Sequence, residues 1–235
     1  MNTNARWQEL ISENLSAGSI PGYKKQDLSF SAVQSGQSSS GVAGSQGVTM
    51  PKATAVTNFR QGEIKSTGVN TDVALEGPGF LSVQLPDGNT GYTRDGELHV
   101  NSTGQVVTKQ GYLVLGDGGP IQLDPSNSSP ISISATGELS QGTSLKGKLQ
   151  VSDFSQPNLL TPISYGYFIA TNPNLRPEDA PGTTLRQGYV EASNTSSSSE
   201  MVSLIASMRM YEANQRVVQM QDERMGKAIS ELGNS

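Results

Sequence analysis

The sequence predicts a mainly β protein with an α-helix at each end. Three observations lead there. Apolar residues recur at three- and four-residue spacing near both termini and alternate with polar ones between them. Short alternating runs in the middle are separated by Gly, Asn and Asp turn signals. The 235 residues hold 26 Gly and 12 Pro but only 34% hydrophobic and 16% charged residues. That composition suits many short strands and turns, and not an enzyme built on a dense parallel sheet.

The first helix is read over residues 4–16. Trp7, Leu10, Ile11 and Leu15 form one apolar face, and Gly18 with Pro21-Gly22 stops the helix. A helix of about 12 residues is marginal alone in water, so it needs a partner, and the C-terminal helix is the natural one. Residues 34–47 are rich in Ser and Gly and have almost nothing to bury, which reads as a linker or a segment that orders only against a neighbour.

From Val48 onward the period shortens. Strands are expected at residues 54–59, 72–76, 79–85, 91–94, 97–100, 105–108, 112–115 and 131–134, and a strand pair at 145–154. Gln61-Gly62-Glu63, Pro86-Asp87-Gly88-Asn89, Asp95-Gly96, Thr103-Gly104, Gln110-Gly111 and Thr136-Gly137 read as the turns, with Asp95-Gly96 as a hairpin turn. Tyr165, Tyr167, Phe168 and Ile169 look like a buried cluster. Residues 187–190 return the chain to the helix, which residues 194–199 can cap. The β part is thus an insertion between two helical ends, which pair as a coiled-coil-like stalk.

The last helix carries a seam. Alternating steps of three and four from Met201 visit Leu204, Met208, Tyr211, Gln215, Val218, Asp222, Met225, Ile229 and Leu232, and eight of these ten positions are apolar. A seven-residue repeat held for about four heptads suits a helix lying along a partner helix. That partner is the chain's own domain, another copy, or a different chain. The helix is rich in Met, whose flexible thioether suits either an adaptable interface or ordinary core filling.

Little catalytic chemistry is legible. No Cys is present, which excludes disulfides and thiolate ligands. His99 is the sole histidine; alternation places it opposite Leu98 and Val100, with no second His to complete a metal site. Gly77-Pro78-Gly79 resembles a phosphate loop but lacks the third glycine and a following helix, so it reads as a turn. Asp87-Gly88-Asn89 starts like a calcium loop, but Leu98 stands where the closing Glu belongs. The three Asn-x-Ser/Thr patterns are discounted. No catalytic, cofactor-binding or metal residue is expected, no cofactor, and no enzyme activity. A net charge of −5 without a basic stripe argues against a nucleic-acid partner. No run of 18 apolar residues suggests a membrane span, and no basic-then-apolar leader suggests a secretory signal peptide. Tyr92 and Tyr112, read as exposed aromatics, motivate an alternative: a secreted β-domain that binds cell-wall carbohydrate.

Several stretches are familiar in order. Glu13-Asn14-Leu15-Ser16-Ala17 with Pro21-Gly22-Tyr23-Lys24 is one. Asp72-Val73-Ala74-Leu75-Glu76-Gly77-Pro78-Gly79-Phe80 is another. Tyr92-Thr93-Arg94-Asp95-Gly96 and Gly104-Gln105-Val106-Val107-Thr108 follow. Gln187-Gly188-Tyr189-Val190-Glu191-Ala192-Ser193-Asn194, Glu200-Met201-Val202 and Tyr211-Glu212-Ala213-Asn214 close the set. Together they resemble the flagellar basal-body rod and hook protein family across most of the chain. Residues 116–121, 145–154 and 222–233 look most like its proximal rod (FlgF) type, with the distal rod (FlgG) type next.

The resemblance implies a structural rod subunit, part of an axial drive shaft that assembles helically and transmits torque. It implies residues 1–30 as the N-terminal helix of an inner tube, 31–65 as a Ser/Gly-rich linker or linking hairpin, 66–188 as the antiparallel β domain and 189–235 as the C-terminal helix of the tube. It implies other copies, other rod proteins and the flagellar export apparatus as partners, without stable membrane insertion. The place implied is the basal body, crossing the periplasm, reached without a cleaved signal peptide. The helical seam expected to meet neighbouring subunits is Trp7, Ile11, Asn14 and Leu15 with Met201, Leu204, Met208, Tyr211, Val218, Met225, Ile229 and Leu232.

Overall fold

The computed structural model describes residues 2–34 and 49–233. The chain divides into two units, one of Met1–Ser16, Asp27–Ala55 and Ser196–Ser235, the other of Ala17–Gln26 and Val56–Thr195. The first is helical in the main and the second is built of sheets.

In the helical unit, α1 (Asn2–Ser16) packs against α2 (Ser197–Gly233). Leu10 and Ile11 are buried, as the three-and-four spacing requires. A two-stranded sheet pairs β1 (Gln26–Gln34) with β2 (Thr49–Thr57). Strand β1 begins inside the stretch assigned to the N-terminal helix of the tube (1–30) and runs into the stretch assigned as a linker or linking hairpin (31–65). Residues 35–48, most of the Ser/Gly-rich stretch, lie outside the described residues.

The sheet unit runs through β3 (Ile64–Ser66), β4 (Val73–Glu76), β5 (Phe80–Gln84), β6 (Thr90–Thr93), β7 (Leu98–Val100), β8 (Val106–Thr108) and β9 (Leu113–Gly116). It continues through β10 (Gly119–Pro120), β11 (Ile131–Ile133), β12 (Glu138–Gln141), β13 (Ser144–Lys148) and β14 (Val151–Asp153). It ends with β15 (Thr161–Pro162), β16 (Tyr167–Ile169), β17 (Glu178–Asp179), β18 (Thr184–Gln187) and β19 (Tyr189–Glu191). The largest sheet has the order β15-β16-β6-β5-β9-β8-β7, and β14 also pairs with β5. The pairings are antiparallel, as the hairpin signals predict; Pro86 to Asn89 closes β5 on β6, and Gly111 sits in the turn between β8 and β9.

Strand β5 explains the core. Leu81 and Val83, two apart, lie in one buried cluster with Val73, Leu75, Val114 and Tyr167. Phe80, on the opposite face, lies in a second cluster with Tyr92, Phe154, Leu160, Phe168 and Leu175. A strand covered on both faces reads as an unbroken apolar run, as Phe80-Leu81-Ser82-Val83 nearly does. The one polar member, Ser82, is satisfied by the Ser152 hydroxyl at 3.1 Å. Phe59 packs edge-on to Phe80 with ring centroids 5.5 Å apart. Each such buried side chain contributes about 1.5–3 kcal/mol by leaving water.

Four sequence expectations change. Asp95-Gly96 is not a hairpin turn, because β6 pairs with β5 and β16 while β7 pairs with β8. Gly96 is required by a close approach instead: a Cβ there would collide with the Val73 carbonyl, whose own N–H donates to the Gly96 carbonyl at 3.0 Å. Tyr165 is 59% exposed, unlike Tyr167 and Phe168. Tyr92 is buried against Phe154, centroids 4.8 Å apart, and Tyr112 packs edge-on to Tyr167 at 5.1 Å. Of the two aromatics that motivated carbohydrate binding, Tyr92 is therefore covered and Tyr112 half-covered. Finally, residues 189–191 form a strand paired with β3 before the helix begins at Ser197.

Candidate functional site

Two features stand out, one in each unit. In the helical unit, Ile11 and Asn14 of α1 are buried, and Trp7 and Leu15 are half-buried. On α2 the buried positions are Glu200 and Ser207, with Leu204 and Tyr211 half-buried. Glu200, Leu204, Ser207 and Tyr211 follow each other at three- and four-residue steps, so they share one face. Met201 at 53% and Met208 at 50% exposure stand on the neighbouring face with Ile205. Val218, Met225 and Ile229 are exposed as well. The side chain of Leu232 lies outside the described residues. Sequence reasoning passed over Glu200 and Ser207 as seam positions because neither is apolar.

From Met208 to Lys227, every described residue of α2 except Tyr211 is exposed. The whole helix has 37 residues and is therefore about 55 Å long at 1.5 Å per residue. Isolated apolar side chains on a surface are ordinary, but a helix of this length bearing Met210, Val217, Val218, Met220, Met225 and Ile229 in water is not. Helical stability comes mainly from burying such a face.

In the sheet unit, three charged side chains are buried together. The Glu191 carboxylate, fully buried at the end of β19, accepts from the Lys24 ammonium, from the Gly62 N–H at 2.7 Å and from the Arg94 guanidinium at 3.1 Å. Lys24 also donates to the Arg60 carbonyl at 2.9 Å, and Arg94 to the Gly77 carbonyl at 2.8 Å. The Arg94 guanidinium lies 5.3 Å from the Phe80 ring centroid, within cation–π range. Its Nε is buried with no partner. Burial pushes the Lys24 ammonium below its ordinary value; Glu191 opposes that, and the nearby Arg94 adds to it. Removing one member of such a buried group costs about 3–5 kcal/mol, because the others are left uncompensated.

This node lies where the chain crosses the sheet unit three times. Lys24 comes from residues 17–26, Arg60 and Gly62 follow β2, and Glu191 ends β19. Asn194 completes the junction. Its Oδ1 accepts from the Lys25 N–H at 2.7 Å, and its Nδ2 donates to the Asn58 and Arg60 carbonyls at 2.8 and 2.9 Å. Lys24, Arg94, Glu191 and Asn194 all occur in stretches singled out by resemblance, but nothing in the local pattern marks them as partners.

Asp95 is a further buried charge. Its Oδ1 accepts from the Glu97 N–H at 3.0 Å and its Oδ2 has no partner. Burial raises its carboxyl from 3.8 to about 6; the hydrogen bond from Glu97 opposes that, the Glu97 and Asp72 charges add to it, and Lys109 lowers it. His99, by contrast, is exposed. Among the described residues no group of three or more His, Asp or Glu side chains stands together to hold a metal. No described helix is long and apolar enough to cross a membrane.

Comparison with known proteins gives the lineage. Residues 74–141 match the family model described as the flagellar hook protein FlgE/F/G D1 domain, and residues 186–231 match the flagellar basal body rod FlgEFG protein C-terminal model. The flagellar basal-body rod protein FlgG of Buchnera aphidicola subsp. Baizongia pistaciae is 32% identical over 93% of this chain and 91% of its own. The flagellar basal-body rod protein FlgF of Caulobacter vibrioides is 30% identical over 98% of this chain and 94% of its own. The FlgF of Escherichia coli is 28% identical over 97% and 93%. With relatives of both types aligned along nearly its whole length, this chain belongs to the flagellar basal-body rod protein family, of FlgF or FlgG type.

Proposed function

We propose that the chain is an axial subunit of the rod, which assembles helically with copies of itself and with other rod proteins and transmits torque along the drive shaft. The observation that carries this is the second half of α2, a regular helix whose apolar side chains have no cover within the described chain. In this reading the helices within residues 1–30 and 189–235, α1 and α2, supply the inner tube, the link lies within residues 31–65, and the sheet unit, of which residues 66–188 are the greater part, forms the outer β domain. The seam from Met201 to Leu232, with Trp7, Ile11, Asn14 and Leu15, meets neighbouring subunits in coiled-coil fashion. Head-to-tail contacts that do not close generate the filament. The chain reaches its place across the periplasm through the flagellar export apparatus, and placement nearer the proximal end rests on residues 116–121, 145–154 and 222–233. Its role is structural, with no chemical step of its own.

The experiment is a motility assay with electron microscopy of basal bodies for Tyr211→Asp and Val218→Asp. A carboxylate in a packed helical seam is costly to bury, so both variants are expected to lose motility and complete rods. Normal rods and normal swimming in both would overturn the assignment of the seam.

A further inference from the structure

The sheet unit is fastened by a segment that comes from outside its strands. Residues 22–25 belong to no strand. They nonetheless bond to two distant parts of the chain, residues 58–60 and residues 191–194. The Gly22 N–H donates to the Glu191 carbonyl at 2.7 Å. The Tyr23 carbonyl accepts from the Asn194 N–H at 3.4 Å, and Tyr23 itself is buried. Lys24 enters the charged node described above. The Lys25 N–H donates to Asn194, and its carbonyl accepts from the Asn58 N–H at 2.8 Å.

The fit is close. At Gly22, with a φ of 67°, any Cβ would collide with the Arg94 carbonyl, so only glycine passes there. A Cβ at Gly166 would touch the Tyr23 backbone at 3.4 Å. Lys24 is 1% exposed even though it carries a charge on a long flexible stem. Long charged side chains normally keep the head in water, so this one is held by its socket.

We propose that residues 22–25 are a locking strap, and that residues 191–194 are its receiver. The lock needs two segments that lie far apart in the chain. Lys24 and Glu191 are separated by 167 residues, so the sheet unit reaches its locked form only when the segment ending at Asn194 is present. Before that, the strap lacks the carboxylate, the carbonyl and the amide that hold it. Lys24 is the positioning residue of the strap and Glu191 of the receiver. The lock itself does not depend on the rod assignment.

The test is hydrogen–deuterium exchange on the purified full chain, read by peptide. In the wild type at low urea, the amides of Gly22, Lys25, Asn58, Gly62 and Asn194 are expected to open together, in an event that leaves β5 and β6 closed. Lys24→Met keeps the stem and leaves Glu191 paired with Arg94. It should speed exchange of that same set by about a hundredfold, with β5 and β6 at wild-type rates. Glu191→Gln strands two buried cations and should open the set further. Two outcomes overturn the lock: exchange unchanged at those amides in Lys24→Met, or an equal loss of protection across β5 and β6. Should the variants fail to fold, the wild-type experiment decides alone; independent opening of the five amides refutes the proposal. None of these readings depends on motility, so failure of the lock and failure of the rod assignment are distinguishable.

Discussion

Replacing Asp95 with Asn isolates the cost of one buried charge. Asp95 is 1% exposed, and only one of its two oxygens is hydrogen-bonded. Burial raises the carboxyl from 3.8 to about 6. The folded state therefore holds the proton more tightly than the unfolded chain does. That contribution is complete below about pH 4 and is lost as pH rises to about 6. A gap of about two pH units corresponds to about 3 kcal/mol. At neutral pH the folded protein carries a penalty of that order for ionising Asp95. Asn keeps an acceptor for the Glu97 N–H and removes the charge, but its NH2 group needs partners, which returns about 1–2 kcal/mol. Asp95→Asn is therefore expected to be more stable than wild type by about 1–2 kcal/mol at about pH 7. At about pH 4 it should be equal or less stable. The assay is urea denaturation followed by circular dichroism in the β-sheet band, at several values across that range. Comparing the two proteins at each pH cancels the other titrating groups. A stability difference that does not change between about pH 4 and about pH 7 refutes the reasoning.

Other substitutions test the packing. Gly96→Ala drives a methyl group into the Val73 carbonyl and should cost about 3 kcal/mol, seen as a lower thermal midpoint of the sheet unit. Phe168→Ala empties a site in contact with Phe59 and Phe80, at centroid distances of 5.2 and 5.8 Å. It should cost about 3–5 kcal/mol by the same measurement. Tyr165 has a φ of 61° and is largely exposed; Tyr165→Asn should gain about 0.5–1 kcal/mol, since Asn tolerates that backbone. A loss there would show that the Tyr165 ring has a packing role.

The helices and hairpins were legible because their signals are local. Leu10 and Ile11 announce a buried face by spacing alone, and Pro86-Asp87-Gly88-Asn89 announces its turn by residue type. Asp95-Gly96 carries the same local signature with a different cause, the tertiary approach to Val73. Tyr92 shows a related limit: alternation tells which residues share a face, but only the second sheet layer decides whether that face is covered. The charged node was out of reach for a plainer reason. Arg94 and Lys24 lie 97 and 167 residues from Glu191 in sequence, and no periodicity spans such distances. The seam was visible as a heptad pattern, yet the pattern ranks Met201 and Met208 with Leu204 and Tyr211, although the first pair is exposed and the second half-buried.

The junction of residues 22–25 with residues 191–194 also fixes how the chain bears mechanical load. Tension applied at the two ends enters the sheet unit at one segment and leaves at the other. These segments are bonded directly to each other, through Gly22 to Glu191, Lys24 to Glu191 and Lys25 to Asn194. Force therefore crosses the junction without travelling through the strands between them. The hairpins from β4 to β18 hang outside the load path. Except at Arg94, which pairs with Glu191 and whose carbonyl lies against Gly22, they can vary in length and sequence without weakening the part of the chain that is pulled.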